Sequence, residues 1–578
     1  MGTVRSERTL IAGGPVLTMN PAQPTADAVL IEDGVLIAVG DAANLGDMAG
    51  ADAKRIDLAG AVLMPGLIDS HPHLLHFASL TMATCQLFDA RDHTDIVARI
   101  KNHCMILPPD QWAICSPVGE PHYFIRRGWR DLAEGVLPDR YVLDRAAPDR
   151  PVIIQAWAPV TPNIAVLNSA ALRAVGISSD TPDQVGGVRI VKDKHGEPTG
   201  HLEGPVNNYY SDDPFWLSIL GHIGAPPDWL WEAGALNGLA AYNALGVTGG
   251  YESHAMEPAH IEAYRKICGD GRLTMRIAAT MDATDLTFDP TKPTDEATVL
   301  ARLALAKSWE DRSDTHFRFN GITLARGGPC WPGYLRQHKA YPAPDGTMTN
   351  GKAFVPREIE LIVLRYCLEH DLRFNMVLGG DKDADELLQS LAETTGGMDT
   401  AALDWVVQHV LMLTAAQCKR IAEFGFHVTT SPGFVWGKGA LYRERLGAAA
   451  LDDFVPARRL MELGANLAFG SDWGPDNPFE QMQMAETQEF CVRGACSHTP
   501  AEHRAHHQVT RMQALNAYTR NAARVMQWEG IGAIKAGYAA DLIVVDGNPL
   551  TCPVEKLSEL QVQLTLLGGK PVFDRGVI

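Results

Sequence analysis

The sequence lacks the features that mark several classes of protein. Ten cysteines among 578 residues are few, and no two of them stand as Cys-x-x-Cys, so neither a disulfide framework nor a zinc knuckle is expected. No segment approaches the ~20 consecutive apolar residues of a membrane-spanning helix. The first residues carry Arg5, Glu7 and Arg8 rather than the apolar core of a secretory signal. We therefore expect a cytoplasmic protein with reduced thiols.

Positive charge is scarce as well. The chain has 50 Lys and Arg against 69 Asp and Glu, a net charge of −19. Because binding to phosphates or to anionic lipids needs clustered basic residues, neither nucleic acid nor a membrane surface is the expected partner. A small-molecule substrate remains, and a homo-oligomer, most simply a dimer, is the default assembly. With 46% hydrophobic residues the chain can bury a large core.

The two ends of the chain have the pattern of β-structure. Apolar runs at residues 28–31 and 35–39 flank Asp33-Gly34, a strong hairpin signal. Near the other end, residues 540–547 and 563–573 form a second set of strand-like runs with glycine turns. We predict that residues 1–62 and 530–578 together form one small β-sandwich domain.

The middle of the chain, residues 63–529, alternates between strand-like and helix-like patterns. Apolar residues follow a helical period at 296–309 and 358–370. Strand-like apolar runs recur at 62–68, 152–154, 274–279, 322–324, 374–378 and 466–469. Such alternation predicts the α/β class and favours a (β/α)8 TIM-like barrel or another parallel sheet.

Residues 76–231 fit this alternation poorly. They contain many prolines and show little helical period, so we predict a large insertion after the first barrel strand, lying over the barrel mouth. Four tryptophans within it are candidates for a pocket roof or, equally, for core: Trp112, Trp129, Trp157 and Trp216. Phe434 and Trp331 follow predicted strands and are further candidates for the pocket lining.

Two histidines follow the apolar run at 62–68. His71 and His73 are two residues apart, and on an extended chain such residues point to the same side. Both imidazoles can then meet one cation of the kind that imidazole favours, namely Zn, Cu, Fe or Ni. The simpler alternative is two unrelated surface histidines, because His-x-His alone is a weak pattern.

Other strand ends carry ligand-type residues too. Asp472 follows the run 466–470 and could bind a metal or accept a proton, although an Asp before proline also caps turns. His409 closes the run 404–409, where a structural histidine is the ordinary interpretation. Glu252 and His254 follow a short run at 246–248, where solvated loop residues are the simpler interpretation.

Taken together, the motifs resemble the amidohydrolase superfamily, and more narrowly its YtcJ-like branch, which includes N-substituted formamide deformylases. The resemblance extends over nearly the whole chain. It is carried by Pro-Gly-Leu-Ile-Asp-Ser-His-Pro-His at 65–73, Asn-Ser-Ala-Ala-Leu at 168–172, Gly-Ser-Asp at 470–472, Ala-Tyr-Thr-Arg-Asn-Ala-Ala at 517–523 and Gly-Tyr-Ala-Ala-Asp-Leu at 537–542.

This resemblance implies a metal-dependent hydrolase barrel with a β-sandwich built from both termini. His71 and His73 match the first-strand metal ligands, and His409 matches the histidine that closes the sixth strand. Asp472 matches the eighth-strand carboxylate, which binds metal and acts as general base toward the attacking water. His409 could also stabilise the developing oxyanion. The implied cofactor is a divalent metal, with zinc the first candidate.

Three positions depart from the family pattern. Thr323 stands where relatives often carry a lysine that can be carbamylated, Val377 where they carry a histidine, and Gln408 where they usually carry glutamate. We therefore expect one metal ion rather than two. The predicted reaction is hydrolysis of a C–N bond, as in an amide, N-acyl or N-formyl compound. A metal-dependent lyase or decarboxylase is the alternative, and a binding protein on an inactive barrel is a third possibility.

Overall fold

Eight parallel strands form a nearly closed barrel, which confirms the predicted α/β barrel fold. The computed structural model describes residues 7–119, 128–156, 163–206, 212–224, 227–285, 294–310, 312–327, 333–343, 346–492, 495–498 and 507–578. From first to eighth, the barrel strands are Leu67–Asp69, Val247–Glu252, Arg276–Asp282, Phe317–Leu324, Phe374–Leu378, Val406–His409, His427–Thr430 and Leu467–Phe469. The eighth meets the first where the Ser70 amide donates to the Phe469 carbonyl at 3.1 Å.

Helices follow the barrel strands from the second one on. Those between successive strands are Pro258–Gly269, Glu296–Lys307, Arg357–His370, Asp381–Thr395, Ala415–Glu423, Gly433–Leu446 and Ala457–Glu462, and those after the eighth strand are Pro478–Thr487, Arg511–Ala517 and Arg520–Val525. The helices predicted from apolar spacing at 296–309 and 358–370 are confirmed within two residues. Asp295 is the N-cap of the helix Glu296–Lys307. Its carboxylate accepts the Thr298 amide at 2.8 Å, which is a favourable capping bond.

Strands from both termini share one sheet. Its strands are Arg8–Leu17, Thr25–Glu32, Val35–Gly40, Lys54–Asp57, Val62–Pro65, Leu542–Val545, Val562–Leu567 and Lys570–Asp574. The Asp33-Gly34 hairpin forms as predicted, with φ values of 49° and 82° that suit its tight turn. The boundaries of a separate terminal domain, residues 1–62 and 530–578, stay a prediction.

The run predicted as a single strand at 62–68 is two strands. Val62–Pro65 pairs in the terminal sheet, whereas Leu67–Asp69 opens the barrel. The chain changes sheet at Gly66, where a Cβ atom would lie 2.1 Å from the Thr248 hydroxyl oxygen. Only glycine fits such a close approach, so this residue allows the terminal sheet to lead directly into the candidate site.

Between the first and second barrel strands, the chain forms a separate six-stranded sheet. It consists of Ala113–Cys115, Val152–Ile154, Ile164–Leu167, Gln184–Val185, Val188–Lys192 and Pro198–Glu203. The run at 152–154, grouped above with the alternating strands, therefore belongs to this sheet and not to the barrel. Trp216 is fully buried in the core beside it, while Trp157 and Trp331 lie outside the described residues.

The same segment also contains helices, contrary to the expectation of little helical period. They are Leu74–Ala83, His93–Ile106, Arg140–Asp144, Ser169–Ala174, Pro214–Ile223 and Trp229–Ala244. The first and last pack closely, since a Cβ on Gly234 would lie 2.1 Å from the Ser79 hydroxyl. The proposed insertion limits, 76 and 231, fall inside these two helices, so a division that keeps both helices whole fits the packing better.

One cleft joins the inserted sheet to the barrel. Ser116 and Gln155 line it from the insertion, Phe77 from the helix after the first strand, and Trp473 from the loop after the eighth strand. The cleft holds about 40 Å³. The insertion therefore contacts the carboxyl end of the barrel, where active sites of such barrels lie. Among the described helices, none has both the length and the apolar character needed to cross a membrane.

A buried ion pair fastens the terminal sheet to the barrel. Arg276 opens the third barrel strand, and its guanidinium donates to Asp541 at 2.6 and 3.1 Å. Asp541 also accepts the Gly568 amide at 2.8 Å. The two charged side chains are only 10% and 4% exposed, so each depends on the other for compensation of its lost hydration.

We predict that Asp541→Asn lowers the free energy of unfolding by about 3–5 kcal/mol, because it leaves the Arg276 charge buried and unpaired. Urea denaturation measures the change. Glu32→Gln is the matched control, since its partner Arg8 has a 41% exposed side chain and exposed pairs contribute less than about 1 kcal/mol. Equal losses in the two variants would contradict this account.

Candidate metal centre

The Asp69 carboxylate joins the ends of the first and eighth strands. Its Oδ1 accepts the amides of His71 and Ser471 at 2.9 and 3.0 Å, and its Oδ2 accepts the Ser471 hydroxyl at 2.6 Å. Burial raises the pKa of Asp69, and these hydrogen bonds oppose that rise. The Asp472 amide also donates to the His71 carbonyl at 2.7 Å. Two segments about 400 residues apart in sequence are therefore held side by side.

Glycine at position 470 makes this approach possible. A Cβ atom there would lie 2.5 Å from the His71 amide nitrogen and 2.8 Å from the Asp69 carboxylate. Any side chain would push the eighth strand away from the first. In the Gly-Ser-Asp motif, Gly470 therefore leaves room for the close approach and Ser471 binds the Asp69 carboxylate. The third residue, Asp472, is the candidate ligand.

Three of the four predicted site residues have left-handed backbone. The φ angles are 45° at His73, 70° at His409 and 68° at Asp472. This conformation costs a non-glycine residue of order 1–3 kcal/mol and persists where surrounding contacts enforce it. Such residues concentrate at functional sites because the strain fixes the direction of a side chain.

The structure brings all four predicted side chains together. The Nε2 atoms of His71, His409 and His73 lie 2.9, 3.2 and 3.5 Å from the same oxygen, Oδ1 of Asp472. The ligand atoms of His71, His409 and Asp472 all lie within 4.8 Å of one another. Each of the four residues is at most 7% exposed.

The site is electrostatically prepared for a cation. Burial, with the charge of His71, lowers the pKa of His73 to about 4. Burial and neighbouring histidines hold the pKa of His409 well below its usual value. Burial alone would raise the pKa of Asp472, but the adjacent His71 and His73 side chains outweigh it and hold the pKa well below its usual range. Neutral imidazoles and an ionised carboxylate are the forms that bind metals.

The chemistry of the donor atoms gives a further test of fit. Imidazole nitrogens and a carboxylate oxygen form a donor set that suits zinc and other first-row metals. The residues present therefore fit a divalent metal ion.

Glu252 and His254 are buried, each only 1% exposed, which corrects their interpretation as solvated loop residues. Glu252 Oε1 accepts the Tyr264 hydroxyl at 2.6 Å and the Leu75 amide at 3.1 Å, so it anchors the helix that follows His73. His254 is near the centre, with its ring centroid 5.6 Å from that of His73. Its Nδ1 lies 3.3 Å from the Asp282 carboxylate.

Comparison with known proteins identifies the family. The sequence profile of the amidohydrolase family matches residues 54–573. The chain belongs to the amidohydrolase family. An N-substituted formamide deformylase of Arthrobacter pascens is 27% identical to this amidohydrolase over 98% of each chain. The putative amidohydrolase YtcJ of Bacillus subtilis is 25% identical over 97% of this chain and 99% of its own.

These relatives confirm the predicted YtcJ-like branch and a hydrolase that acts on carbon–nitrogen bonds. Among solved structures, an uncharacterised metal-dependent hydrolase from Pyrococcus horikoshii has the same fold. Its TM-score is 0.70 at 19% identity, and the match covers 95% of this chain and 99% of that one. At this identity the likeness establishes the fold of the amidohydrolase and nothing finer.

The three positions at which the resemblance led us to expect other residue types, Thr323, Val377 and Gln408, lie on barrel strands. Thr323 on the fourth strand is paired with Asn375 on the fifth, and Asn375 Nδ2 donates to Thr323 Oγ1 at 2.8 Å. Val377 is an apolar, buried residue on the fifth strand. Gln408 is buried beside His409 on the sixth. None of these residues can supply a carbamylated lysine or an imidazole.

Lys438 is a buried residue near the centre that no sequence motif points to. Lys438 has no exposed surface, and its Nζ lies 5.0 Å from the centroid of the Phe434 ring. Phe434 was expected to line the pocket, and its ring centroid lies 5.6 Å from that of His409. The only hint to Lys438 is its place between two glycines in the otherwise apolar run 433–440. Its charge helps to lower the pKa of His409.

We predict that the purified wild-type protein holds about one divalent metal ion per chain and that His409→Ala or His71→Ala loses it, because each variant removes an imidazole donor. Elemental analysis after dialysis measures the stoichiometry. His338→Ala is the matched control, since that histidine has a 56% exposed side chain. About two ions would point to further ligands, with His254 first, and a metal-free wild type would contradict a metal centre.

Proposed function

We propose that this protein hydrolyses a carbon–nitrogen bond of a small organic molecule, an amide or an N-acyl or N-formyl compound, with one divalent metal ion. The observation that carries the proposal is the convergence of three imidazole Nε2 atoms on one Asp472 oxygen at the carboxyl ends of the barrel strands. Similarity to the formamide deformylase along 98% of both chains supports N-formyl compounds as the first substrates to test.

In this proposal His71, His73, His409 and Asp472 hold the metal, and zinc is the first candidate because it favours nitrogen and oxygen donors in this number. When bound, such an ion lowers the pKa of water toward ~7 and polarises a carbonyl oxygen. Burial of the four side chains keeps bulk water from competing for the same donors. The aromatic rings of Phe434 and Trp473, 5.6 Å from those of His409 and His73, border the centre.

Asp472 is the proposed general base. Its carboxylate is ionised at neutral pH because the neighbouring histidines hold its pKa low, so it can accept a proton from the attacking water. It can then return that proton to the nitrogen as the C–N bond breaks. His409 is the proposed second catalytic residue, placed to stabilise the oxygen that becomes negative during attack on the carbonyl carbon.

We predict that Asp472→Asn lowers turnover by at least about 10²-fold, because loss of a general base usually costs ~10²–10⁴. Steady-state hydrolysis of an N-formyl amine measures it, with metal content determined on the same sample. Asp476→Asn is the control: it removes a carboxylate from the same loop, one that accepts Gln481 at 3.2 Å. A loss below about tenfold in Asp472→Asn, with metal retained, would exclude it as the base.

The alternative is a metal-dependent lyase or decarboxylase, which Thr323 and Val377 favour because a changed ligand set accompanies changed chemistry. Turnover in ¹⁸O-labelled water separates the two. We predict one labelled oxygen in the carboxylic acid product, as hydrolysis requires. Release of CO₂ without incorporation of label into the remaining product would instead establish decarboxylation.

The finer features of the proposal are zinc as the metal, a homo-oligomer in solution and a cytoplasmic location. Metal identity follows from the elemental analysis above. Light scattering on the purified chain tests the oligomeric state, for which a homodimer is the default among soluble proteins. A binding protein on an inactive barrel would hold no metal and show no change in stability with a chelator.

A further inference from the structure

A buried hydrogen-bond network converges on Ser253, just beyond the second barrel strand. Its carbonyl oxygen accepts from Thr323 Oγ1 at 2.5 Å, Asn375 Nδ2 at 2.7 Å and Gln408 Nε2 at 3.1 Å. These donors come from the fourth, fifth and sixth strands. Three donors on one carbonyl fix the backbone of Ser253 and with it the position of its hydroxyl.

The orientation of the Gln408 amide follows from this network. A carbonyl oxygen can only accept, so the Gln408 atom facing the Ser253 carbonyl is the nitrogen. The other amide atom, Oε1, then lies 2.7 Å from Ser253 Oγ. Because Oε1 can only accept, the single hydroxyl proton of Ser253 points to Gln408.

The Ser253 hydroxyl oxygen can therefore only accept a hydrogen bond from its other neighbour. That neighbour is Nδ1 of His71, at 3.0 Å, so Nδ1 carries the proton. The form of imidazole that binds a metal has one ring proton, so a proton on Nδ1 leaves a lone pair on Nε2. This Nε2 is the atom that lies 2.9 Å from Asp472 Oδ1 and 2.9 Å from His409 Nε2.

We propose that Ser253 and Gln408 are positioning residues that hold His71 in its Nδ1–H tautomer and so direct the Nε2 lone pair to the candidate metal centre. The proposal rests on the proposed function only in that a cation occupies this centre. Partners that fix the far nitrogen of a ligating imidazole raise its affinity for metal, and their loss usually weakens binding roughly 10- to 100-fold.

The same network gives a role to residues that depart from the family pattern. Thr323 and Gln408 replace residue types that relatives use near the metals, and here both donate to the Ser253 carbonyl. Thr323 is in turn held by Thr280, whose hydroxyl oxygen lies 2.6 Å away. Through Ser253, these residues hold the Nδ1 side of the His71 ring. In this proposal they position one ligand and do not bind a second ion.

Zinc affinity, measured by competition with a chromogenic chelator, is the first test. Ser253→Ala removes the acceptor for His71 Nδ1–H and is expected to raise the dissociation constant roughly 10- to 100-fold. Gln408→Leu frees the Ser253 hydroxyl to turn toward His71, so a similar loss is expected. Ser253→Thr keeps the hydroxyl and should restore affinity.

Thr429→Val is the matched control. Thr429 pairs with Gln408 in the sheet register, and its buried hydroxyl has no hydrogen-bond partner among the described residues, so its loss should leave zinc affinity unchanged. Equal affinity in wild type and Ser253→Ala would overturn the proposal while leaving the hydrolase assignment intact. An effect of Thr429→Val as large as that of Ser253→Ala would show a merely structural role and would overturn it too.

The ¹⁵N spectrum of the histidine side chains provides a readout that does not depend on activity or on bound metal. In wild type we expect an exchange-protected Nδ1–H of His71, assigned by its loss in His71→Gln, and we expect Ser253→Ala to lose the protection. If wild-type protein binds no zinc but shows this signal, the proposed function fails and the positioning role stands. Absence of the protected Nδ1–H in wild type would overturn the positioning role itself.

Discussion

The Asp69 carboxylate is the contact on which the rest of the site depends. The first and eighth barrel strands are only three residues each, too short for a long backbone ladder between them. Asp69 supplies the missing connection by accepting two amides and one hydroxyl. A buried carboxylate is costly unless hydrogen-bonded, and here the bonds that compensate it also close the barrel. Gly470 allows the strands to come this near.

Closure of the barrel brings together groups that would not otherwise share a buried space. Once His71 and Asp472 are adjacent, left-handed backbone at His73, His409 and Asp472 directs their side chains to one point. Surrounding packing bears the cost of that conformation. The result is a carboxylate that stays ionised beside the neutral imidazoles of His73 and His409. Preorganisation of this kind lowers the cost of binding a cation.

Two of the residues that differ from the expected family types, Thr323 and Gln408, take part in a buried hydrogen-bond network. Thr323 and Gln408 point their donors at one carbonyl, and through Ser253 they reach His71. The Thr323 hydroxyl and the Gln408 amide thereby find an acceptor in the barrel interior. Burying an incomplete polar network would be unfavourable, and here Thr323, Asn375 and Gln408 all donate to the Ser253 carbonyl. Lys438 adds a buried positive charge, with its Nζ 5.0 Å from the centroid of the Phe434 ring.

The sequence by itself determined the α/β class, the Asp33-Gly34 hairpin and the two amphipathic helices, because these depend on local rules: the two-residue period of extended chain, the 3.6-residue period of helices and the backbone freedom of glycine. The four residues of the proposed centre came from the family resemblance. Only the tertiary structure decided the sheet of the insertion, the change of sheet at Gly66, and the roles of Ser253 and Lys438. Those features depend on contacts between distant segments, such as Ser253 with Gln408, 155 residues apart, and no local pattern encodes which distant side chain will arrive.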